Sequence, residues 1–221
     1  MSVPAGSSPQ PARPAPRRRL PAGERRERIL RSAVALFARR GFAGTSTRAL
    51  AAAAGISEAM LFKHFSGKGA LYRAILARKI EESERAMPLR ALEASADPPG
   101  RFLGRVADFL LRRVESDPAF LRLLLYSALE GHPLARAFDR ARAAGVRRVV
   151  AGYLRREGER GRLRRLDAAI AARAFLGGVA WLALSRVLFR EPGIRRVPRG
   201  RLVREVVSIH LEGLRRRGRA S

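Results

Sequence analysis

The stretch Thr45 to Lys68, TSTRALAAAAGISEAMLFKHFSGK, constrains the fold of this chain more than any other. A cap candidate, Thr45 or Ser46, opens an Ala-rich run in which Leu50, Ala51 and Ala54 share one helical face. Gly55 then offers the left-handed residue that stops a helix. Ser57 caps a second run. Two short helices joined by a tight glycine turn make a helix-turn-helix unit, whose second helix is shaped to enter the major groove of DNA. In that second helix Leu61 and Phe65 are four apart and face inward together, which leaves Glu58, Ala59, Met60, Lys63 and His64 toward the outside.

Upstream, Gly23 to Arg40 repeats Ile29, Ala33, Leu36 and Phe37 at helical spacing with charges on the other face. Gly41 ends this helix and Phe42 closes a small core. The ordered combination of that helix, GFAGTSTRALAAAAGIS and LFKHFSGKGALY resembles the DNA-binding domain of TetR-type transcriptional repressors, over about Arg25 to Tyr72. The resemblance implies that Ser57, Glu58, Ala59 and Met60, at the start of the reading helix, contact base edges. It also implies that Phe62, His64 and Lys68 hold phosphates, with Thr47, Arg48 and Lys63 completing the contact set.

The chemistry of these residues can be weighed separately. Lys68 falls in the first turn of the next helix, where the macrodipole disfavours a cation, so an anion such as a backbone phosphate is expected beside it. Arg48 suits a phosphate or a guanine edge, and the Thr47 hydroxyl suits a phosphate. Glu58 either accepts from cytosine N4 or simply favours the helix start. Met60 either touches a thymine methyl or packs at the domain edge. Two residues depart from the family pattern. Phe62 stands where most members carry Tyr and lacks its phenolic hydroxyl, and Gly69 replaces a helix former at a cost of up to about 1 kcal/mol.

Composition narrows the function classes. The chain of 221 residues has no Cys, which excludes disulfides, thiol catalysis and Cys-based metal sites. Its His residues, His64, His132 and His210, suggest no metal cluster. No cofactor is expected, and no nucleophile–base pair or phosphate loop is visible, so the chain reads as a non-enzyme. The net charge of +27 divides as +10 over residues 1–68 and +17 over residues 69–221, so it is diffuse. Apart from Lys63, Lys68 and Lys79 the cations are all Arg. Such charge attracts phosphate without specificity. The alternative it raises is an architectural protein that coats DNA with low specificity, which uniform rather than bounded footprinting would reveal.

Residues 1–22 read as a disordered basic tail in which Arg17 to Arg19 could reach a minor groove. The segment lacks the apolar core of a secretory signal, so a cytoplasmic location is expected. The longest apolar run, Ala174 to Ser185, is shorter than the roughly 20 residues that span a bilayer. It reads as a buried helix, with no membrane partner.

The fold class expected is all-α, about nine helices. Residues 23–68 form the helix-turn-helix domain and 69–221 a helical effector-binding and dimerisation domain. The later helices are predicted over Lys68 to Ala94 with a bend near Pro88, Arg101 to Ser116, Pro118 to Glu130, Pro133 to Glu157, Asp167 to Leu188 and Arg199 to Arg217, with a loop at Asp97 to Gly100. The resemblance implies an effector cavity among the middle helices. Phe102, Phe109, Phe120, Leu124, Tyr126, Phe138 and Tyr153 are candidates for its lining, and Glu130, His132 and Asp139 for polar anchors of an apolar small molecule. It further implies a homodimer built on the last two helices through Phe175, Gly178, Trp181, Leu182, Leu202, Val206 and Leu211, with Gly177 allowing close approach. A two-fold axis would place the reading helices about 34 Å apart on a palindromic operator in double-stranded DNA.

Overall fold

The computed structural model describes residues 21–214. The Arg17 to Arg19 cluster and the expected helix end at Arg217 lie outside the described residues. The described residues contain helices and no strands. They are α1 (Ala22–Arg40), α2 (Thr47–Ala53), α3 (Glu58–His64), α4 (Lys68–Ala86), α5 (Leu89–Glu93), α6 (Pro99–Ser116), α7 (Pro118–Leu129), α8 (Pro133–Phe138), α9 (Ala144–Glu159), α10 (Ala168–Val187), α11 (Pro192–Arg195) and α12 (Arg199–Leu214). A π-helical turn, Asp139–Ala143, joins α8 to α9.

The expectation of about nine helices misses three short segments. Pro88 breaks the helix predicted through Ala94 into α4 and α5, because proline offers no N–H and disfavours helix in the residue before it. The predicted helix after Pro133 divides at the π turn, and α11 is a single turn opened by Pro192. The loop at Asp97 to Gly100 is shorter than expected. Pro99 takes the first position of α6, where its fixed φ suits the helix and its missing N–H costs nothing.

Two hydrophobic cores follow from these helices. The first gathers Ile29, Leu30 and Phe37 of α1, Leu50 of α2, Leu61 of α3 and Leu71, Tyr72 and Ile75 of α4. It is completed by Phe120 and Leu123 of α7 and Leu134 of α8. A boundary drawn at residues 68/69 therefore cuts α4 at its first residue and leaves out Leu71, Tyr72, Ile75, Phe120, Leu123 and Leu134 of the first core. The second core packs α6, α9, α10 and α12 through Phe102, Val106, Val150, Tyr153, Phe175, Val179 and Leu202. Phe102 and Tyr153 lie ring on ring, with centroids 3.7 Å apart and planes 4° from parallel.

The helix containing Ala174 to Ser185 differs from its expectation. α10 as a whole, Ala168–Val187, is long and apolar enough by composition to cross a membrane. Here it packs against α6, α9 and α12 on one side and leaves large apolar side chains exposed on the other.

Candidate DNA interface and interior cavity

Local chemistry sets the helix-turn-helix geometry. Ser46 is the cap of α2, its hydroxyl accepting from the Ala49 N–H at 3.1 Å, and Ser57 caps α3 by accepting from Met60 N–H at 3.2 Å. Thr45, the other cap candidate, is instead buried and donates to Gly41 O at 2.7 Å. Gly55 adopts φ 63°, the left-handed conformation that glycine reaches without steric cost.

On the outer surface, Arg48, Ser57, Ala59, Phe62 and Lys63 are exposed and free of the core, with Phe62 49% exposed. Of the remaining candidates, Thr47, Glu58 and Met60 are committed to neighbours. The Thr47 hydroxyl donates to the Glu58 carboxylate, tying the start of α2 to the start of α3. Met60 is half-buried with its sulfur against Arg25, and His64 is half-buried.

Lys68 has the compensating partners that its position demands, and they belong to the protein. Its ammonium donates to Phe42 O at 2.9 Å and Thr45 O at 3.2 Å and lies 4.4 Å from the Phe42 ring centroid. Two of its three donors thus fasten the α1–α2 loop to the start of α4, which leaves one for a phosphate.

The same loop meets the second half of the chain. The Phe42 N–H donates to the Glu130 carboxylate at 3.0 Å, and the His132 ring lies against Phe42 and Tyr72 with centroids 4.2 and 4.7 Å away. Glu130 and His132 are therefore not cavity anchors. They join the end of α7 to the DNA-binding unit. The Tyr72 hydroxyl is pushed up to about 12 by burial and by the Glu130 charge.

Burial lowers the His132 pKa from 6.5, opposed by Glu130 and reinforced by Lys68 and Arg136. The ring also caps α8, its Nδ1 accepting from the Leu134 N–H at 3.3 Å, which a protonated Nδ1 cannot do. The folded state thus binds this proton more weakly than the unfolded chain. Its contribution to stability is present above pH 6.5 and is lost as pH falls through the lowered folded value. Melting temperature should fall as pH is lowered below 6.5 and fall less in His132→Asn, which keeps a capping oxygen; parallel pH profiles would remove His132 from this role.

A cavity of about 460 Å³ lies among α4, α6, α7, α9 and α10. Phe109, Phe120, Leu124 and Phe138 line it. Phe102 and Tyr153 do not. They fill the second core against each other, and the Tyr153 hydroxyl donates to Asp97 O at 2.6 Å. Tyr126 is exposed and away from the lining. Asp139 is held by both arms of Arg147, at 2.7 and 2.9 Å, and that pairing keeps its carboxyl below the usual range.

Sequence reasoning missed the charged lining, which includes Lys79, Arg113, Asp117, Arg142 and Arg147. Arg142 is 3% exposed and projects from the π turn onto the end of α4. There it donates to Ser83 Oγ at 2.8 Å, Ser83 O at 3.1 Å, Met87 O at 2.7 Å and Glu84 at 2.5 Å. A lone π turn between charged residues has no sequence signature that could have placed this contact.

The predicted dimer residues divide by side. Phe175, Leu202 and Val206 are buried in the chain's own core, and a Cβ on Gly178 would sit 3.6 Å from His210. Leu182 and Leu211 are partly buried against that core. Facing outward are Ile170 (66% exposed), Trp181 (59%), Phe189 (65%) and Ile209 (66%), with Ala174 and Gly177 continuing the stripe along α10.

Comparison with known proteins places this geometry. Residues 29–75 match the family model of bacterial regulatory proteins of the tetR family, and residues 101–213, half of the chain, match the C-terminal domain of AefR-like transcriptional repressors. The HTH-type transcriptional activator FasR of Mycolicibacterium smegmatis is 33% identical over 106 residues, 48% of each chain. The chain spans about half or less of the length of the curated relatives it matches. Among solved structures, the TetR family transcriptional regulator PfmR from Thermus thermophilus is 26% identical with a TM-score of 0.67, covering 87% of this chain and 98% of that one. The fatty acid degradation regulator FadR from Bacillus halodurans shares the fold at 19% identity and a TM-score of 0.67, covering 90% and 100%. The helix-turn-helix unit, the all-helical second half and these matches agree: the chain belongs to the TetR family of transcriptional regulators, and not to a family of enzymes.

Proposed function

We propose that the chain is a homodimeric cytoplasmic repressor that reads a palindromic operator and is released from it when a small, largely apolar molecule enters the α4–α10 cavity. The observation that carries this reading is the position of α7. Its Phe120 and Leu123 belong to the core of the DNA-binding unit, while Phe120, Leu121 and Leu124 line the cavity, and the Glu130 that caps its end holds the α1–α2 loop. A ligand that displaces α7 must also displace the reading helices. Release then requires only that the ligand favour one arrangement over the other, by about 1 to 3 kcal/mol for a typical coupling.

The match to AefR-like repressors supports repression, and the name of FadR supports an apolar ligand. Arg48 and Lys63, exposed beside Ser57 and Ala59, would supply phosphate and base contacts, and Lys68 one remaining donor.

Operators selected from random DNA should show a bounded, two-fold footprint with half-sites one helical turn apart; uniform protection along every fragment would sink the reading. Leu124→Trp, which fills the cavity, should keep operator binding within about threefold and make it insensitive to ligands that release the wild-type protein. Unaltered ligand release in that variant would place the effector elsewhere.

A further inference from the structure

Most of the cavity wall is apolar, contributed by residues such as Leu110, Val114, Leu176 and Ala180. Of its charged groups, Arg147 is held by Asp139, and Arg173 on α10 is exposed to solvent and donates to Ala169 O at 3.2 Å. The others, Lys79, Arg113, Asp117 and Arg142, gather where α4 meets α6 and α7. Their partners are unevenly supplied. Asp117 is taken up by Lys79 at 2.8 Å and by the Phe120 N–H at 3.0 Å. Glu82 already accepts from Arg78 and Lys79, at 2.8 and 2.9 Å. Arg142 has its donors spread over Ser83, Glu84 and Met87.

Arg113 is left with Glu82 Oε2 at 3.4 Å, an oxygen that Lys79 holds more closely. Its charge also bears on Arg142, whose guanidinium is pushed below its ordinary value by burial, raised by Glu84 and lowered further by Arg113. Like charges at an apolar wall, one of them poorly partnered, are unfavourable until an anion arrives.

We propose that the cavity takes an amphipathic anion, with an apolar body against α6 and α10 and one anionic head on Arg113 beside Arg142. This rests on the reading that the cavity is the effector site. The planar fork of Arg113 can grip a carboxylate or phosphate through two parallel hydrogen bonds, and the volume of about 460 Å³ falls in the range of ~300–1,000 Å³ usual for small-molecule sites.

Dodecanoate, dodecyl phosphate and 1-dodecanol, each below its aggregation concentration, serve as probes in calorimetric titrations of the full chain. Dodecanoate or dodecyl phosphate should bind about tenfold or more tightly than 1-dodecanol, as expected for hydrogen bonds to a charged group. The tighter of the two identifies the head as carboxylate or phosphate. Arg113→Gln should abolish the advantage of the anion while leaving 1-dodecanol affinity in place, and Arg113→Lys should restore part of it.

Equal affinities for the anions and the alcohol, an advantage that survives Arg113→Gln, or no binding of any probe would each overturn the proposal. Leu124→Trp separates the two possible failures. If the anions and the alcohol bind equally and Leu124→Trp abolishes both, the cavity reading stands and the anionic head falls. If dodecanoate binding survives Leu124→Trp, the cavity reading itself falls.

Discussion

Arg142→Met lowers the unfolding free energy by about 3 kcal/mol or more, the largest stability loss expected from a single change among the cavity residues. The guanidinium is buried, and its Nη2 is the donor for both Ser83 O and Met87 O at the end of α4. Methionine fills much of the same volume but offers no donor. Met87 O and the Ser83 hydroxyl are then left without that partner in a place poorly reached by water, at about 1–3 kcal/mol for each buried group left unsatisfied, while Ser83 O keeps the Met87 N–H at 3.0 Å. Glu84, roughly half exposed, returns to solvent and adds little.

In a chain of this size each kcal/mol moves the melting temperature by about 2–4 °C, so a fall of about 6–12 °C is expected by calorimetry. Ser83→Ala, which removes only the hydroxyl, should cost about 1 kcal/mol. If Arg142→Met melted within about 2 °C of the wild type, the end of α4 would have to be held by something other than this cation. Because α4 begins at Lys68, in the DNA-binding unit, the variant should also weaken the response of operator binding to ligand.

The parts of this architecture that were legible in the sequence are those whose signals lie within a turn or two of one another. The caps at Ser46 and Ser57, the left-handed Gly55 and the inward pair Leu61 and Phe65 act locally, and the structure reproduces them. Lys68 shows where local reasoning stops. Its unfavourable place at a helix start pointed to an anion such as a phosphate, whereas the partners seen are neutral carbonyls 26 and 23 residues earlier in the chain, which no spacing rule anticipates.

The cavity was only partly legible for a related reason. Phe102 and Phe109 recur at helical spacing on the same helix, yet one stacks on Tyr153 in a closed core and the other faces open space. Periodicity reports that a face is covered, without distinguishing close packing from a void. α10 is harder still. It is apolar nearly all round, so the pattern carries no information about which side meets its own core, and the dimer residues expected from it fall on both sides.

The outward side of α10 gives the second large effect. Ile170→Glu combined with Trp181→Glu should convert the protein to a monomer at micromolar concentration and lower operator affinity by roughly 10² to 10⁴. The reasoning begins from exposure. Ile170, Trp181 and Phe189 stand out from α10 and its C-terminal end, the Trp181 and Phe189 rings touching with centroids 5.7 Å apart, and Ile209 extends the surface onto α12. A contiguous apolar surface of this kind marks an interaction site, and a two-fold axis lets one stripe cover its own copy.

In that arrangement the two introduced carboxylates would each be buried against the partner's stripe, where they lose their water and repel their own copies. In the isolated chain both substitutions remain exposed, so helical content should change little and melting should fall only by what association contributed, a difference that shrinks as the wild-type concentration is lowered. The loss of operator affinity then comes from geometry alone, because each monomer keeps its reading helix but no longer holds the second one at the adjacent half-site. Sedimentation and operator titration on the same samples test the two links separately. A double variant that stays dimeric would move the interface off α10, whereas a monomer that binds the full operator as tightly as before would show that a single helix-turn-helix unit suffices.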